Sequence, residues 1–192
     1  LAAIYGDACL HGTGTFEVDP PSSQDMAARR AEVLARGLPH LVAEEGGQVL
    51  GFAYCNWFKP RPAYRYSAED SVYVADAARG LGVGRLLLAA LAEQAQAAGM
   101  RKLLAVIGDS ANAGSIALHR AAGFTEVGVM RSVGWKFGAW RDSVACYNTS
   151  GGFLHTPIDQ LLVNAAASRA RGIGGIKLKV GQPDRAADLK RV

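Results

Sequence analysis

The 192-residue chain holds only three cysteines, Cys9, Cys55 and Cys146, far apart and with no CxxC pair. An odd, scattered set argues against a disulfide framework or a structural zinc, and makes a reducing cytoplasm the expected compartment. His11, His40 and His155 have no partners at metal-ligand spacing, so no metal is expected. No apolar run approaches the ~18–20 residues of a membrane helix, and no membrane partner is expected. The opening LAAIYGDACL has neither the basic stretch nor the cleavage pattern of a signal peptide. It also lacks an initiator Met, and reads as a start inside a longer protein. There is no internal repeat and no low-complexity tract.

What is present fits one ordinary domain, or one domain plus a short appendage. Hydrophobic residues make up 49% and charged residues 20%, enough to bury a core. The net charge is +4 and the pI about 9.1, a weak hint of anionic partners. The distribution says more. Residues 1–146 balance 14 Lys and Arg against 14 Asp and Glu, whereas residues 147–192 hold 7 against 3. The basic tail has Tyr147 and Phe153 but no basic–aromatic interleaving, so nucleic acid is not expected either.

Periodicity and punctuation predict the elements in order. A helix over 2–10 closes near Gly12, and a strand over 13–18 stops at Pro20-Pro21. A helix runs from an N-cap at Ser23 to about Arg36, with Gly37 as its stop. Strands 40–45 and 48–57 flank the hairpin signal Gly46-Gly47. A Pro-punctuated loop (59–69) leads to a strand over 70–75, an amphipathic helix over 84–99 and a buried-type strand over 102–108. A polar loop and short helix (110–124) precede two closing strands, 125–133 and 138–147. This is an α/β (α+β) order without strict βαβ alternation. The tail reads as a turn-rich segment (147–157), a helix (158–172) and a strand (175–181), a βαβ-like fragment.

The sharpest motif is Arg79-Gly80-Leu81-Gly82-Val83-Gly84 between a strand and a helix. Glycines let the backbone approach a ligand and turn several N–H groups to one side. The helix start adds about half a positive charge, so the segment can cradle a pyrophosphate. The spacing is GxGxG, which fits neither GxGxxG nor a P-loop. Taken alone, it is equally a flexible strand–helix turn.

Arg-x-x-Gly-x-Gly after DSVYVA resembles the acyl-CoA motif of the GNAT superfamily of N-acetyltransferases. SANAGSIALHRAAGF resembles that superfamily's second CoA-flanking motif. The closer resemblance is to the phosphinothricin and methionine sulfoximine/sulfone acetyltransferases, carried by GTGTFE, AYCNWFKPRPAYRYSAEDSVYV, AVIGDSANAGSIALHRAAGF and VGWKFGAWRD. It covers residues 1–146. It implies a GNAT fold, with a central mixed, mostly antiparallel sheet flanked by helices and here lacking its first strand. It also implies acetyl-CoA as co-substrate, a small amino-acid-like amine as acceptor (an acyltransferase of the EC 2.3.1 class) and a homodimer.

The resemblance also implies roles residue by residue. Backbone groups of Val72, Tyr73 and Val74 pair with the pantetheine arm. N–H groups of Gly80, Gly82, Gly84 and Arg85 hold the pyrophosphate behind Arg79. Asn112 and Ser115 touch the CoA arm. Glu69, just before the strand, is the general base, and His119 assists proton transfer or protonates the thiolate. Phe16, Trp57, Arg61, Tyr64 and Tyr66 line the acceptor end, where an Arg suits a carboxylate. Plainer readings stay open beside these. One of Glu69 and Asp70 is a solvated loop acid, His119 is a surface or capping residue, the tryptophans pack at core or rim, and Arg61 or Arg65 is a solvated charge.

The tail resembles something else. YNTSGGFLHTP followed by GIGGIKLKVGQPDRAADLKRV is similar to the start of the barrel of mandelate racemase-like acid-sugar dehydratases in the enolase superfamily. Lys177 and Lys179 match that family's Lys-x-Lys base pair, but the metal-binding carboxylates and the later His-Asp pair are absent. No dehydratase activity is expected. The expected division is therefore an acetyltransferase domain (1–146) fused to a barrel fragment (147–192). The alternatives are an inactive or CoA-binding-only chimera and, behind it, a dehydratase fragment.

Overall fold

The computed structural model describes residues 1–149, with Val163 and Ala166 beyond them. The chain divides into two units, Leu1–Asn148 and Thr149–Val192. In the second, Val163 and Ala166 are helical, inside the helix expected over 158–172. The strand expected over 175–181, with Lys177 and Lys179, lies outside the described residues.

In the first unit, four helices flank one sheet. The order is α1 (Ala2–His11), α2 (Ser23–Ala35), β1 (His40–Glu45), β2 (Gln48–Trp57), β3 (Ser67–Val74), α3 (Val83–Ala97), β4 (Lys102–Gly108), α4 (Ala113–Ala121), β5 (Thr125–Lys136) and β6 (Ala139–Thr149). The six strands lie in the order β1-β2-β3-β4-β6-β5. β1–β2, β2–β3 and β5–β6 pair antiparallel and β3–β4 pairs parallel, the mixed, mostly antiparallel sheet expected.

Strand alternation makes two cores, because successive side chains leave opposite faces. In β2, Ala53 and Cys55 join Leu88 and Leu91 of α3 on one face. Phe52 joins Tyr5, Cys9 and Met26 of α1 and α2 on the other. The buried positions of α3, namely Val83, Leu87, Leu88, Leu91 and Ala95, recur at helical spacing, while Leu86 faces out.

Three expectations are corrected. Residues 13–18 form no strand, because side chains claim their polar groups: Lys136 Nζ donates to the Thr15 carbonyl at 2.8 Å, and Glu17 N–H bonds Thr15 Oγ1. The N-cap of α2 is Ser22, which forms a reciprocal capping box with Asp25. Glu69 does not precede the strand. β3 begins at Ser67, and both Glu69 and Asp70 lie within it.

Candidate active site

β3 and β4 pair at only three positions, Ser67–Lys102, Ala68–Leu103 and Glu69–Leu104. Beyond Glu69 the parallel register ends, while β3 remains paired to β2 through Val74. The two strands thus part, and a cleft of about 1250 Å³ opens between their C-terminal halves. That exceeds the ~300–1,000 Å³ of ordinary small-molecule pockets and suits a long ligand.

One wall of the cleft is Val72–Val74, the glycine turn and the start of α3. Gly80 and Gly82 have φ +78° and +85°, a left-handed backbone that costs any residue with a Cβ about 1–2 kcal/mol. Gly82 is the N-cap of α3 and supplies no side-chain cap. The first-turn N–H groups therefore have no side-chain acceptor, and Gly80, Gly82, Gly84 and Arg85 all line the cleft. This is the physical fit to a pyrophosphate. Arg79 also lines it, held to Asp76 by an exposed ion pair of 2.7 Å. Asn112 caps α4 through the Ser115 N–H, and both residues face the cleft.

The other wall is the end of β4, the 13–16 segment and β6. A Cβ on Gly108 would meet the Thr13 carbonyl at 2.2 Å, and one on Gly134 would meet the Phe16 ring at 2.5 Å. Two glycines thus admit the segment against the sheet. Lys136, 2% exposed, ties it down from below with bonds to Thr15 O and Ala8 O. Phe16, Phe137 and Arg141 line this end. Arg141 is held by the Asp109 carboxylate (3.2 Å) and by the Lys136 carbonyl.

Glu69 stands where the strands part and lines the cleft. Burial raises its pKa, the charge of Asp70 raises it further, and Lys59 opposes both. His119 is no surface residue, with its side chain 5% exposed. Its Nε2 lies 2.9 Å from Asp70 Oδ2, and its Nδ1 lies 2.8 Å from the Ser115 carbonyl. Burial alone would lower the His119 pKa, but the hydrogen bond and charge of Asp70, with the Ser115 carbonyl, outweigh it and the net shift is upward.

Of the residues named from sequence, the cleft collects Glu69, His119, Phe16 and every cofactor-side position. It does not collect Trp57, Arg61, Tyr64 or Tyr66. Trp57 ends β2, and the other three belong to the 3-10 turn at Pro62–Tyr64 and its flanks. All four sit at the loop end of the β2–β3 pair, where β3 is still paired to β4. Asp70, Arg141, Phe137 and His11 are cleft residues that the sequence did not single out. An Arg inside an alternating strand carries no local mark of a site. Trp135 and Trp140 pack edge to face across the closing hairpin, exposed at its rim.

Known proteins agree with this geometry. The family model for the "Acetyltransferase (GNAT) family" matches residues 9–124. The chain is 49% identical over 144 residues to phosphinothricin N-acetyltransferase of Alcaligenes faecalis, covering 75% of this chain and 73% of that one. It is 44% identical over 146 residues to the L-methionine sulfoximine/L-methionine sulfone acetyltransferase of Pseudomonas aeruginosa, covering 74% and 83%. A crystal structure of a phosphinothricin acetyltransferase from Sinorhizobium meliloti, in complex with AcCoA, superposes with a TM-score of 0.76 at 41% identity, covering 81% and 84%. A separate match is to L-talarate/galactarate dehydratase of Salmonella typhimurium, 71% identical over 55 residues but only 14% of that enzyme. One chain therefore carries likeness to two unrelated enzymes, as its uneven charge suggested. By fold, cleft and sequence, it belongs to the GNAT family of N-acetyltransferases.

Proposed function

We propose that the chain transfers an acetyl group from acetyl-CoA directly to the amine of a small amino-acid-like acid of the phosphinothricin or methionine sulfoximine/sulfone type. The observation that carries this is the placement of Glu69. It is a half-buried carboxylate of raised pKa at the point where β3 and β4 part, between an uncapped helix start and a wall bearing an arginine.

The glycine turn and the start of α3 hold the pyrophosphate, and the freed edge of Val72–Val74 offers backbone groups to the pantetheine arm. Acetyl-CoA supplies the activated acyl group. Glu69 takes a proton from the acceptor ammonium, directly or through one water, and its raised pKa brings it closer to the working pH. Arg141 is the arginine on the wall opposite Arg79 and Arg85, and it suits the acceptor's carboxylate. Residues 1–146 act as the acetyltransferase module and 147–192 as a barrel fragment. A homodimer belongs to this proposal. It is supported by β5, a sheet-edge strand with Val127, Met130, Val133 and Trp135 exposed. Light scattering reads it directly. Three free buried cysteines suit a reducing cytoplasm.

The test is thiol release by the whole chain from acetyl-CoA with methionine sulfone or phosphinothricin. Turnover is expected, falling roughly 10²–10⁴-fold in Glu69→Gln, the usual cost of losing a general base. CoA-dependent thermal stabilisation without thiol release would instead identify a binding-only chimera. An unchanged rate in the variant would remove Glu69 as base.

A further inference from the structure

Glu69 and Asp70 are adjacent on a strand, so they leave it on opposite faces. Asp70 shares its face with Ala68, Val72 and Val74, which pack in the core under α3. There its side chain is 1% exposed and meets His119 of α4. Glu69 shares the other face with Tyr73, which packs on Tyr5 of α1. The strand thus presents one acid to each side.

The protonation of His119 follows from its partners. The Ser115 carbonyl can only accept, so Nδ1 carries a proton. A bare Nε2 would then face the carboxylate oxygen of Asp70 at 2.9 Å, acceptor against acceptor. A second proton lies between them. The other titratable groups packed here do not compete for it. Cys55 lies opposite Asp70 on β2, and burial with the Asp70 charge pushes its thiol up to about 12. Burial also raises Cys146 of β6, while nearby Arg120 and Glu126 pair with each other. Nδ1 also lies 3.3 Å from Ser115 Oγ, which borders the cleft.

We propose that Asp70, His119 and Ser115 form a proton-delivery line to the departing thiolate, with Asp70 as the positioning residue that keeps His119 doubly protonated. This rests on the acetyltransfer reading. In that reaction an N–C bond forms, the C–S bond breaks and its electron pair leaves on sulfur. Glu69 takes one proton from the acceptor ammonium and sheds it to solvent, then takes the second from the nitrogen as the N–C bond forms, on one face of β3. On the other face, Ser115 Oγ–H gives a proton to sulfur and His119 Nδ1–H refills the hydroxyl. His119 becomes a neutral ring that keeps its Nε2–H on Asp70. Solvent then takes this second proton from Glu69 and restores the one on Nδ1, so each turnover releases one proton overall. His119 is therefore a donor and not a base.

The experiment is ¹⁵N spectroscopy of the histidine rings in the whole chain, assigned with His119→Gln, beside steady-state kinetics. The wild type should show both His119 ring N–H groups at pH 7, with a pKa above 6.5. Asp70→Asn should bring that pKa below 6.5, since burial, the largest influence, is then opposed only by the Ser115 carbonyl. Its kcat should fall roughly 10²-fold, the low end of the ~10²–10⁴-fold range of acid–base assistance, with KM for acetyl-CoA changing less than about twofold. Because kcat declines as pH rises through the His119 pKa, this limb should move to lower pH in the variant. Ser115→Ala should lower kcat while leaving the His119 pKa raised. A singly protonated wild-type ring at pH 7 with full thiol release overturns the delivery line alone, whether or not Asp70→Asn folds. A doubly protonated ring with no thiol release overturns the acetyltransfer reading and leaves only a buried ion pair.

Discussion

Arg141 lines the cleft and Arg61 does not, so the proposed acceptor carboxylate is assigned to Arg141. Its guanidinium is aligned by Asp109 and the Lys136 carbonyl, so little order must be gained when a carboxylate arrives. Arg141→Gln is expected to raise KM for the amino acid about 10- to 100-fold, from the ~1.5–3 kcal/mol of a hydrogen bond to a charged group. KM for acetyl-CoA should hold, and initial rates with each substrate varied in turn will show it. Membership of the cleft was legible where a motif fixed it, as at Gly80–Arg85, Asn112 and Ser115. It was not legible where geometry decides. The adjacency of Glu69 and Asp70 suggested that one acid was spare, whereas strand alternation sends each to a different face. The aromatic and basic run at 57–66 looks like a pocket on paper, yet it precedes the paired end of β3 and not the open one.

The element that governs the site is the turn into α3. Its first-turn N–H groups are available because Gly82 carries no capping side chain and sits at φ +85°. Gly82→Ala is expected to cost about 1–2 kcal/mol of stability through the left-handed backbone and to raise KM for acetyl-CoA. Denaturant midpoints and kinetics together check it; loss of stability with KM unchanged would show that the turn is structural only. The elements around it were readable for plain reasons. The Gly46-Gly47 hairpin and β4 (Lys102–Gly108) fall where turn residues bound apolar runs. The 13–18 segment alternates well enough to pass for a strand. Its partners include the side chains of Lys136, Tyr5 and Arg29, which no local pattern reveals.

At the scale of the whole molecule, the +4 charge belongs to the tail, and residues 1–146 are electrically balanced. The cationic features of the first unit are local: an uncapped helix start, Arg141 at the cleft and Lys136 beneath it. The 13–16 segment gives this arrangement a consequence in time. It lines the cleft yet belongs to no helix or strand, and it is held by Lys136, by the hydroxyl of Tyr5 near Thr15 (3.3 Å) and by two glycine seats. A wall fastened by a few side chains opens at lower free energy than the sheet behind it. In hydrogen–deuterium exchange its amides are expected to exchange well before those of β3, and Lys136→Met should quicken them further while β3 stays protected. Equal protection of wall and strand would show the wall fixed. A wall that breathes would give the proposed acceptor a door of its own, hinged on the Lys136–Thr15 bond and its neighbours.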